Sequence, residues 1–185
     1  MAQSYLLTGH PRVGKTTAIK KIIDGLGRKS CGGFYTEELR AADERYGFQK
    51  ETMDGISGRL ADVAYTHASH RVGKYGVDLT FLEKFAIPSL SHAVMFSLFI
   101  VIDKIGPMQL CSPLFKPAVE RVLKSPVPLI ATIQAEPDPW VDEIKRRHNV
   151  ILYTLTEENR DDVPGIVIRL LKGETRLACL FDGWW

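Results

Sequence analysis

The sequence has few cysteines and no long apolar run, and each of these absences excludes a class of protein. The three cysteines, Cys31, Cys111 and Cys179, are an odd number at wide spacings, which is typical of neither a disulfide framework nor a zinc site. The longest apolar stretch, residues 93–102, is interrupted by Ser97 and falls short of the roughly 20 residues that cross a bilayer. The first residues show no secretory signal. We therefore expect a cytoplasmic protein that is not a membrane protein.

The sequence also lacks an excess of either charge. Lys and Arg total 24 against 22 for Asp and Glu, which gives a formal net charge of +2. Nucleic-acid-binding domains usually carry a strongly basic face, so nucleic acid is not indicated as a partner, although a locally positive pocket remains compatible with this total. With 185 residues, 45% of them hydrophobic, the chain is expected to form one domain, 1–185, and a monomer.

Short apolar runs alternate along the chain with amphipathic helical patterns. The predicted strands are residues 5–8, 33–39, 48–53, 98–102, 129–133 and 150–155. Helical spacing of apolar residues is clearest at Ile19, Ile22, Ile23 and Leu26. This alternation predicts an α/β fold with a mainly parallel sheet flanked by helices. Residues 32–78 contain strand and turn patterns without a helix, and they predict an antiparallel insertion.

The most specific motif is a glycine-rich loop between the first strand and the first helix. It fits G-x-x-x-x-G-K-[ST], the Walker A or P-loop pattern, in which backbone N–H groups surround phosphate at a helix N-terminus. Lys15 is the expected catalytic contact to the β- and γ-phosphates, and the Thr16 hydroxyl is expected to ligate Mg²⁺. The predicted nucleotide-binding residues here are Gly9, His10, Pro11, Arg12, Val13, Gly14, Lys15, Thr16 and Thr17.

A second apolar run ends in a carboxylate that can complete a metal site. Asp103 follows residues 98–102, and a buried parallel strand delivers its last residue to the sheet edge where ligands bind. We therefore expect Asp103 to hold Mg²⁺, usually through water. In many ATP-hydrolysing P-loop proteins the next residue is a glutamate that polarises the attacking water. Here it is Lys104, which in its charged form cannot accept a proton.

Short segments that match the sequence pattern of one protein family are distributed over nearly the whole chain. They comprise residues 8–9, 13–17, 33–38, 47–48, 71–79, 101–103, 105–108, 110, 132–133 and 156–160. With these segments the sequence resembles the small P-loop nucleoside-triphosphatases typified by the cancer-related nucleoside-triphosphatase, which have a RecA-like sheet. The resemblance implies slow, Mg²⁺-dependent hydrolysis of ATP, GTP and other nucleoside triphosphates, with little base preference.

Three positions depart from the pattern of that family, and each change shifts the net charge in the positive direction. Arg12 stands where the family loop has a glycine, Lys104 where it has the glutamate of Asp-Glu-Ile-Gly, and Gln109 where it has the glutamate of Met-Glu-Leu. The excess charge should favour a polyanionic nucleotide. Loss of the expected base at Lys104 implies either poor hydrolysis or a substitute carboxylate, Glu37 or Glu38.

Three further residues have both a functional and a local interpretation. Arg71 can neutralise γ-phosphate charge as an arginine finger supplied in cis, or it can belong to an exposed basic loop. Asn159 and Arg160 can contact the nucleotide, or they can cap and pair locally near Thr156.

Two alternative functions also remain open at the level of the sequence. One is a nucleoside or polynucleotide kinase, with residues 32–78 as walls of an acceptor site. The other is a nucleotide-binding protein without catalysis, which Lys104 favours.

Overall fold

The computed structural model describes residues 1–42 and 44–173, and within them nine strands form one mixed sheet. The strands are β1 (Ser4–Thr8), β2 (Cys31–Ala41), β3 (Glu44–Thr52), β4 (Ser57–Asp62), β5 (His70–Val72), β6 (Tyr75–Val77), β7 (Phe99–Ile105), β8 (Leu129–Ile133) and β9 (Val150–Thr154). Their order is β5-β6-β4-β3-β2-β7-β8-β1-β9. Pairing is parallel from β2 through β7, β8 and β1 to β9, and antiparallel from β2 through β3, β4 and β6 to β5. The predicted α/β fold with an antiparallel insertion is confirmed. Cys179 and the Trp184-Trp185 pair lie outside the described residues.

Six α-helices in the described part of the chain cover both faces of the sheet. They are α1 (Lys15–Leu26), α2 (Ile87–Phe96), α3 (Pro107–Leu110), α4 (Phe115–Lys124), α5 (Pro139–Lys145) and α6 (Val163–Lys172). Helices α1 and α6 pack on one face, and α2, α4 and α5 pack on the other. Alternate residues of β1 accordingly enter different cores: Leu7 packs with α1, and Leu6 packs on the opposite face. Burial on both faces explains why the central strands are continuous apolar runs.

Two elements differ from the sequence-based expectation. Strand β7 continues past Asp103 to Ile105, because Ile105 is fully buried and pairs with Ile133 after an irregular register. Helix α2 has no clear apolar stripe in the sequence, because Met95 and Phe96 are exposed beside its buried Ile87, Leu90 and Ala93.

The parallel strands bring the candidate site residues together. Strand β8 lies between β7 and β1, so the carboxyl ends of these three strands are neighbours at one edge of the sheet. Ligands of open α/β sheets bind at this edge. None of the helices in residues 1–42 and 44–173 is long and apolar enough to cross a membrane.

Candidate functional site

The loop between β1 and α1 depends for its shape on the two glycines of the Walker A pattern. Gly9 and Gly14 have φ angles of +136° and +106°, in the region that favours glycine. A Cβ atom on Gly9 would lie 2.6 Å from the carbonyl oxygen of Leu155. Gly14 is the N-cap of α1 and makes no side-chain cap hydrogen bond. The helix therefore presents backbone N–H groups at its start, which is a favourable place for an anion.

Arg12 occupies a backbone position that suits glycine. Its φ angle is +68°, one of two positive φ values among the non-glycine residues that the structure describes. A non-glycine residue in this region costs about 1 kcal/mol or more. The conformation explains why a glycine is the fitting residue here, and the arginine side chain is exposed beside the loop.

Lys15 begins α1 and turns its side chain back onto the loop. Its Nζ donates to the carbonyl oxygens of Gly9 and His10, both at 2.7 Å. Burial lowers the pKa of Lys15, the nearby charge of Lys104 lowers it further, and Asp103 and Glu136 oppose the shift. The ammonium group therefore lies against the phosphate loop, close to charges of both signs.

Asp103 is held by hydrogen bonds from two neighbouring strands. Its Oδ1 accepts from the hydroxyl of Thr132 on β8 at 2.5 Å, and its backbone carbonyl accepts from the hydroxyl of Thr36 on β2. The residue is 2% exposed, yet Oδ2 has no partner among the described residues. A buried carboxylate oxygen without a partner fits a hard cation such as Mg²⁺.

Three buried side-chain atoms without a hydrogen-bond partner lie at the ends of three adjacent strands. In the part of the chain that the structure describes, these atoms are Thr8 Oγ1, Asp103 Oδ2 and Gln134 Oε1. Thr8 ends β1, Asp103 lies near the end of β7, and Gln134 follows β8, so all three belong to adjacent strands at the same edge. Because buried polar atoms are nearly always paired, Asp103 Oδ2 and Gln134 Oε1, which belong to neighbouring strands, indicate a polar ligand at this edge of the sheet. The sequence patterns did not mark Thr8 or Gln134 as site residues, although Thr8 ends β1 and Gln134 directly follows β8.

The antiparallel insertion contributes a fully buried lysine to the same region. Lys50 on β3 donates from Nζ to Thr36 Oγ1 at 3.2 Å and to the Asp103 carbonyl at 3.4 Å. In the amide orientation that satisfies both ends of Gln109, its Oε1 also accepts from Lys50 Nζ at 3.1 Å. Burial lowers the pKa of Lys50 to about 7, with Lys104 adding to the shift and Asp103 opposing it. No pattern in the sequence marks Lys50 as a site residue.

Lys104 extends along the backbone of the next turn. A Cβ on Gly106 would lie 3.0 Å from Lys104 Cε, so the lysine stem covers this glycine. Its charge lowers the pKa of both Lys15 and Lys50. Lys104 therefore acts on the electrostatics of the site, in which positive charge predominates.

The two carboxylates considered as substitute bases are paired elsewhere. Glu37 forms a 2.5 Å ion pair with Lys20 on α1. Glu38 pairs with Arg45 at 2.6 Å and with Arg40 at 2.7 Å. Burial raises the pKa of Glu38, but the hydrogen bonds from both arginines outweigh burial and hold the pKa below its usual value. A strongly paired carboxylate of lowered pKa is a weak base.

The remaining predicted residues divide between the loop and the edge of the sheet. Arg160 lies beside the phosphate loop, since a Cβ on Gly14 would be 3.7 Å from Arg160 Cδ. Asn159 is used locally: its Oδ1 accepts from Thr156 N–H at 2.9 Å, and its Nδ2 donates to the Thr154 carbonyl at 3.0 Å.

Arg71 lies on the edge strand β5, and its guanidinium donates to the carbonyls of Tyr65, Thr66 and Lys74. These bonds brace the β5–β6 hairpin. A catalytic role for Arg71 stays a prediction.

The sheet order, the loop at the end of β1 and the helix that follows it define a P-loop α/β protein. Comparison with known families agrees: the chain belongs to the NTPase family, which matches residues 4–168. It is 42% identical to the nucleoside-triphosphatase THEP1 of Thermotoga maritima over 167 residues, covering 90% of this chain and 94% of that protein. It is 41% identical to the human cancer-related nucleoside-triphosphatase over 184 residues, covering 90% and 96%.

Solved structures of related proteins share the fold. The crystal structure of THEP1 from the hyperthermophile Aquifex aeolicus matches with a TM-score of 0.84 at 37% identity, covering 91% of this chain and 99% of that one. The solution structure of a human cancer-related nucleoside triphosphatase matches with a TM-score of 0.78 at 36% identity, covering 93% and 98%.

Proposed function

We propose that this chain hydrolyses nucleoside triphosphates to diphosphates and phosphate at the ends of β1, β7 and β8. The observation that carries the proposal is the buried Asp103 Oδ2 on β7, unpartnered among the described residues, at the edge of the sheet where the phosphate loop follows β1. The names of its relatives, which are nucleoside-triphosphatases, support the same reaction.

Different residues of the site are proposed to bind the phosphates, the metal ion and the nucleoside. The loop amides and Lys15 bind the phosphates, as helix N-termini and P-loop lysines do. Thr16 and Asp103 are the residues that would hold Mg²⁺, whose chemistry when bound is to neutralise charge on the phosphate oxygens. Arg160 lies on the Gly14 side of the loop, where it can contact the nucleoside. We propose low base specificity, because every assigned residue except Arg160 contacts the phosphates or the metal.

Hydrolysis is proposed to be slow because Lys104 replaces the expected base. A positioned general base contributes about 10²- to 10⁴-fold to a rate, and a charged lysine cannot supply it. Positioning of the phosphates and stabilisation of developing charge remain, and these are what phosphoryl transfer chiefly requires.

The test is steady-state release of phosphate from ATP, GTP, CTP and UTP by the wild-type chain, with Mg²⁺ and with EDTA. The matched control is Lys15→Ala, which removes the ammonium and leaves the loop glycines in place. We expect multiple turnovers on all four nucleotides, loss of release in EDTA, and loss in Lys15→Ala. Nucleotide binding without turnover would refute hydrolysis and favour a binding protein.

The kinase is a second candidate, and its acceptor would have to occupy a space in or near the antiparallel insertion. An open cavity of about 690 Å³ lies within and beside the insertion, lined by residues 64–70, 77–80 and 83–84. Such a space can admit an acceptor hydroxyl compound. Transfer of label from γ-³²P-ATP to added nucleosides or 5′-hydroxyl oligonucleotides, faster than release of free phosphate, would favour the kinase over the hydrolase.

A further inference from the structure

One of the three unpartnered atoms belongs to an amide that has no role in the steps described above. Gln134 is 9% exposed, and its Oε1 has no hydrogen-bond partner among the described residues. Its Nε2 donates to the Glu136 carbonyl at 3.1 Å, and its backbone N–H donates to the Ile105 carbonyl at 3.0 Å. The residue is therefore fixed through its backbone and its amide nitrogen, and only the acceptor oxygen is unused.

Gln134 lies on the side of the sheet where the phosphate loop leads into α1. Alternate residues of an extended strand face the same side, so Gln134 shares a side with Thr132 and Ile130. Ile130 packs in the core under α1, and the Thr132 hydroxyl donates to Asp103. The unused oxygen is thus on the α1 face of the sheet, the same face on which Thr132 donates to Asp103.

Because Lys104 replaces the expected glutamate, Gln134 Oε1 is a candidate hydrogen-bond acceptor for the attacking water. The attacking water needs an acceptor for one of its hydrogen bonds, and Lys104 in its charged form offers none. An amide oxygen accepts such a bond without removing the proton, and a glutamine orients the attacking water in some other P-loop hydrolases. Because the transition state of phosphoryl transfer is loose, orientation matters more than proton removal.

We propose that Gln134 is a catalytic residue, whose Oε1 accepts a hydrogen bond from the attacking water and directs the water oxygen at the γ-phosphorus. The inference rests on the proposed function. The water oxygen forms a bond to the γ-phosphorus while the bond to the β–γ bridging oxygen breaks, and the bridging oxygen leaves with the electron pair on the diphosphate. One water proton passes to the released phosphate or to solvent, and the amide is unchanged.

The test compares Gln134→Leu with Gln134→Glu, and uses Gln49→Leu on β3 as the matched control. We expect Gln134→Leu to lower kcat for phosphate release by about 10- to 100-fold. Its affinity for a non-hydrolysable ATP analogue should change by less than about 3-fold, because ground-state binding is not altered. Gln134→Glu keeps an acceptor and should stay within about 5-fold of the wild-type kcat. Binding of ADP with aluminium fluoride should weaken in Gln134→Leu while binding of ADP alone is retained.

Gln134→Met keeps the side-chain length and gives the same readout if Gln134→Leu does not fold. Wild-type kcat in these variants would overturn the inference, and so would a loss of kcat matched by equal losses of analogue affinity and melting temperature. A wild-type chain without turnover above Lys15→Ala would overturn both this inference and the proposed function. Turnover by the wild-type chain together with wild-type kcat in Gln134→Leu overturns this inference alone.

Discussion

Replacing Lys50 by methionine should stabilise the protein at neutral pH, although it deletes a residue with several hydrogen bonds. Lys50 is fully buried, its Nζ lies 4.1 Å from the centroid of the Phe34 ring, and no salt bridge pairs it within residues 1–42 and 44–173. Burial, helped by the charge of Lys104 and opposed by Asp103, lowers the pKa of Lys50 from 10.5 to about 7. The folded protein therefore disfavours the charged form that the unfolded chain carries freely.

The size of the effect follows from the two pKa values. Between pH 7 and 10.5 the unfolded chain binds the lysine proton and the folded chain does not, so stability rises with pH across this window. At 1.36 kcal/mol per unit, the destabilisation at pH 7 is about 4 kcal/mol. Methionine removes this destabilisation. It also removes the Lys50 ammonium that donates to Gln109 Oε1, at a cost of about 1–2 kcal/mol. We expect a net gain of about 2–3 kcal/mol at pH 7.

The assay is urea unfolding of both chains in EDTA without nucleotide, from about pH 6 to about pH 10. The advantage of Lys50→Met should be largest at the acid end and should vanish or reverse near pH 10, where the folded and unfolded wild-type chains both approach the neutral amine. Lys29→Met, at an exposed position, should change stability by no more than about 0.5 kcal/mol. A Lys50→Met chain that is less stable at every pH, or whose advantage is independent of pH, would refute the reasoning.

Two further predictions concern the site. Thr132→Val removes the hydroxyl that donates to Asp103 Oδ1 and should raise the Mg²⁺ concentration for half-maximal phosphate release by about 10- to 100-fold; an unchanged value would contradict the network. Gly9→Ala places a Cβ 2.6 Å from the Leu155 carbonyl oxygen and should lower the free energy of unfolding by at least about 2 kcal/mol, together with nucleotide affinity. Gly55→Ala, at φ +93° with no atom within 4 Å of its Cβ, should cost only about 1 kcal/mol, and equal losses in the two variants would show that the close contact does not matter.

The sequence was sufficient to predict those structural elements whose determining contacts lie within one short segment of the chain. Strand β1, the loop and α1 are consecutive, so one motif and its flanking patterns predict all three. The alternation of strands and helices likewise predicts the α/β class, because each pattern reports burial of its own segment. The end of β7 was predicted too early, since the burial of Ile105 depends on its pairing with Ile133, far along the chain.

The polar interior of the site could not be predicted, because distant segments create it. Lys50 lies between the polar residues Gln49 and Glu51, and in the sequence it therefore looks like a solvent-exposed strand residue. Its burial comes from Phe34 on β2 and Gln109 after β7, which only the sheet order brings together. Gln134 likewise looks like a loop residue until β8 is placed between β1 and β7.

The most direct test of the account is the rate of phosphate release by the wild-type chain and by Lys104→Glu, measured under identical Mg²⁺ and ATP with Lys15→Ala as the baseline. If hydrolysis takes place at the ends of β1, β7 and β8 and is slowed by the missing base, Lys104→Glu should raise kcat by at least about 10-fold above the wild type. An unchanged or lower kcat in Lys104→Glu, or equal release by Lys15→Ala and the wild type, would contradict the account.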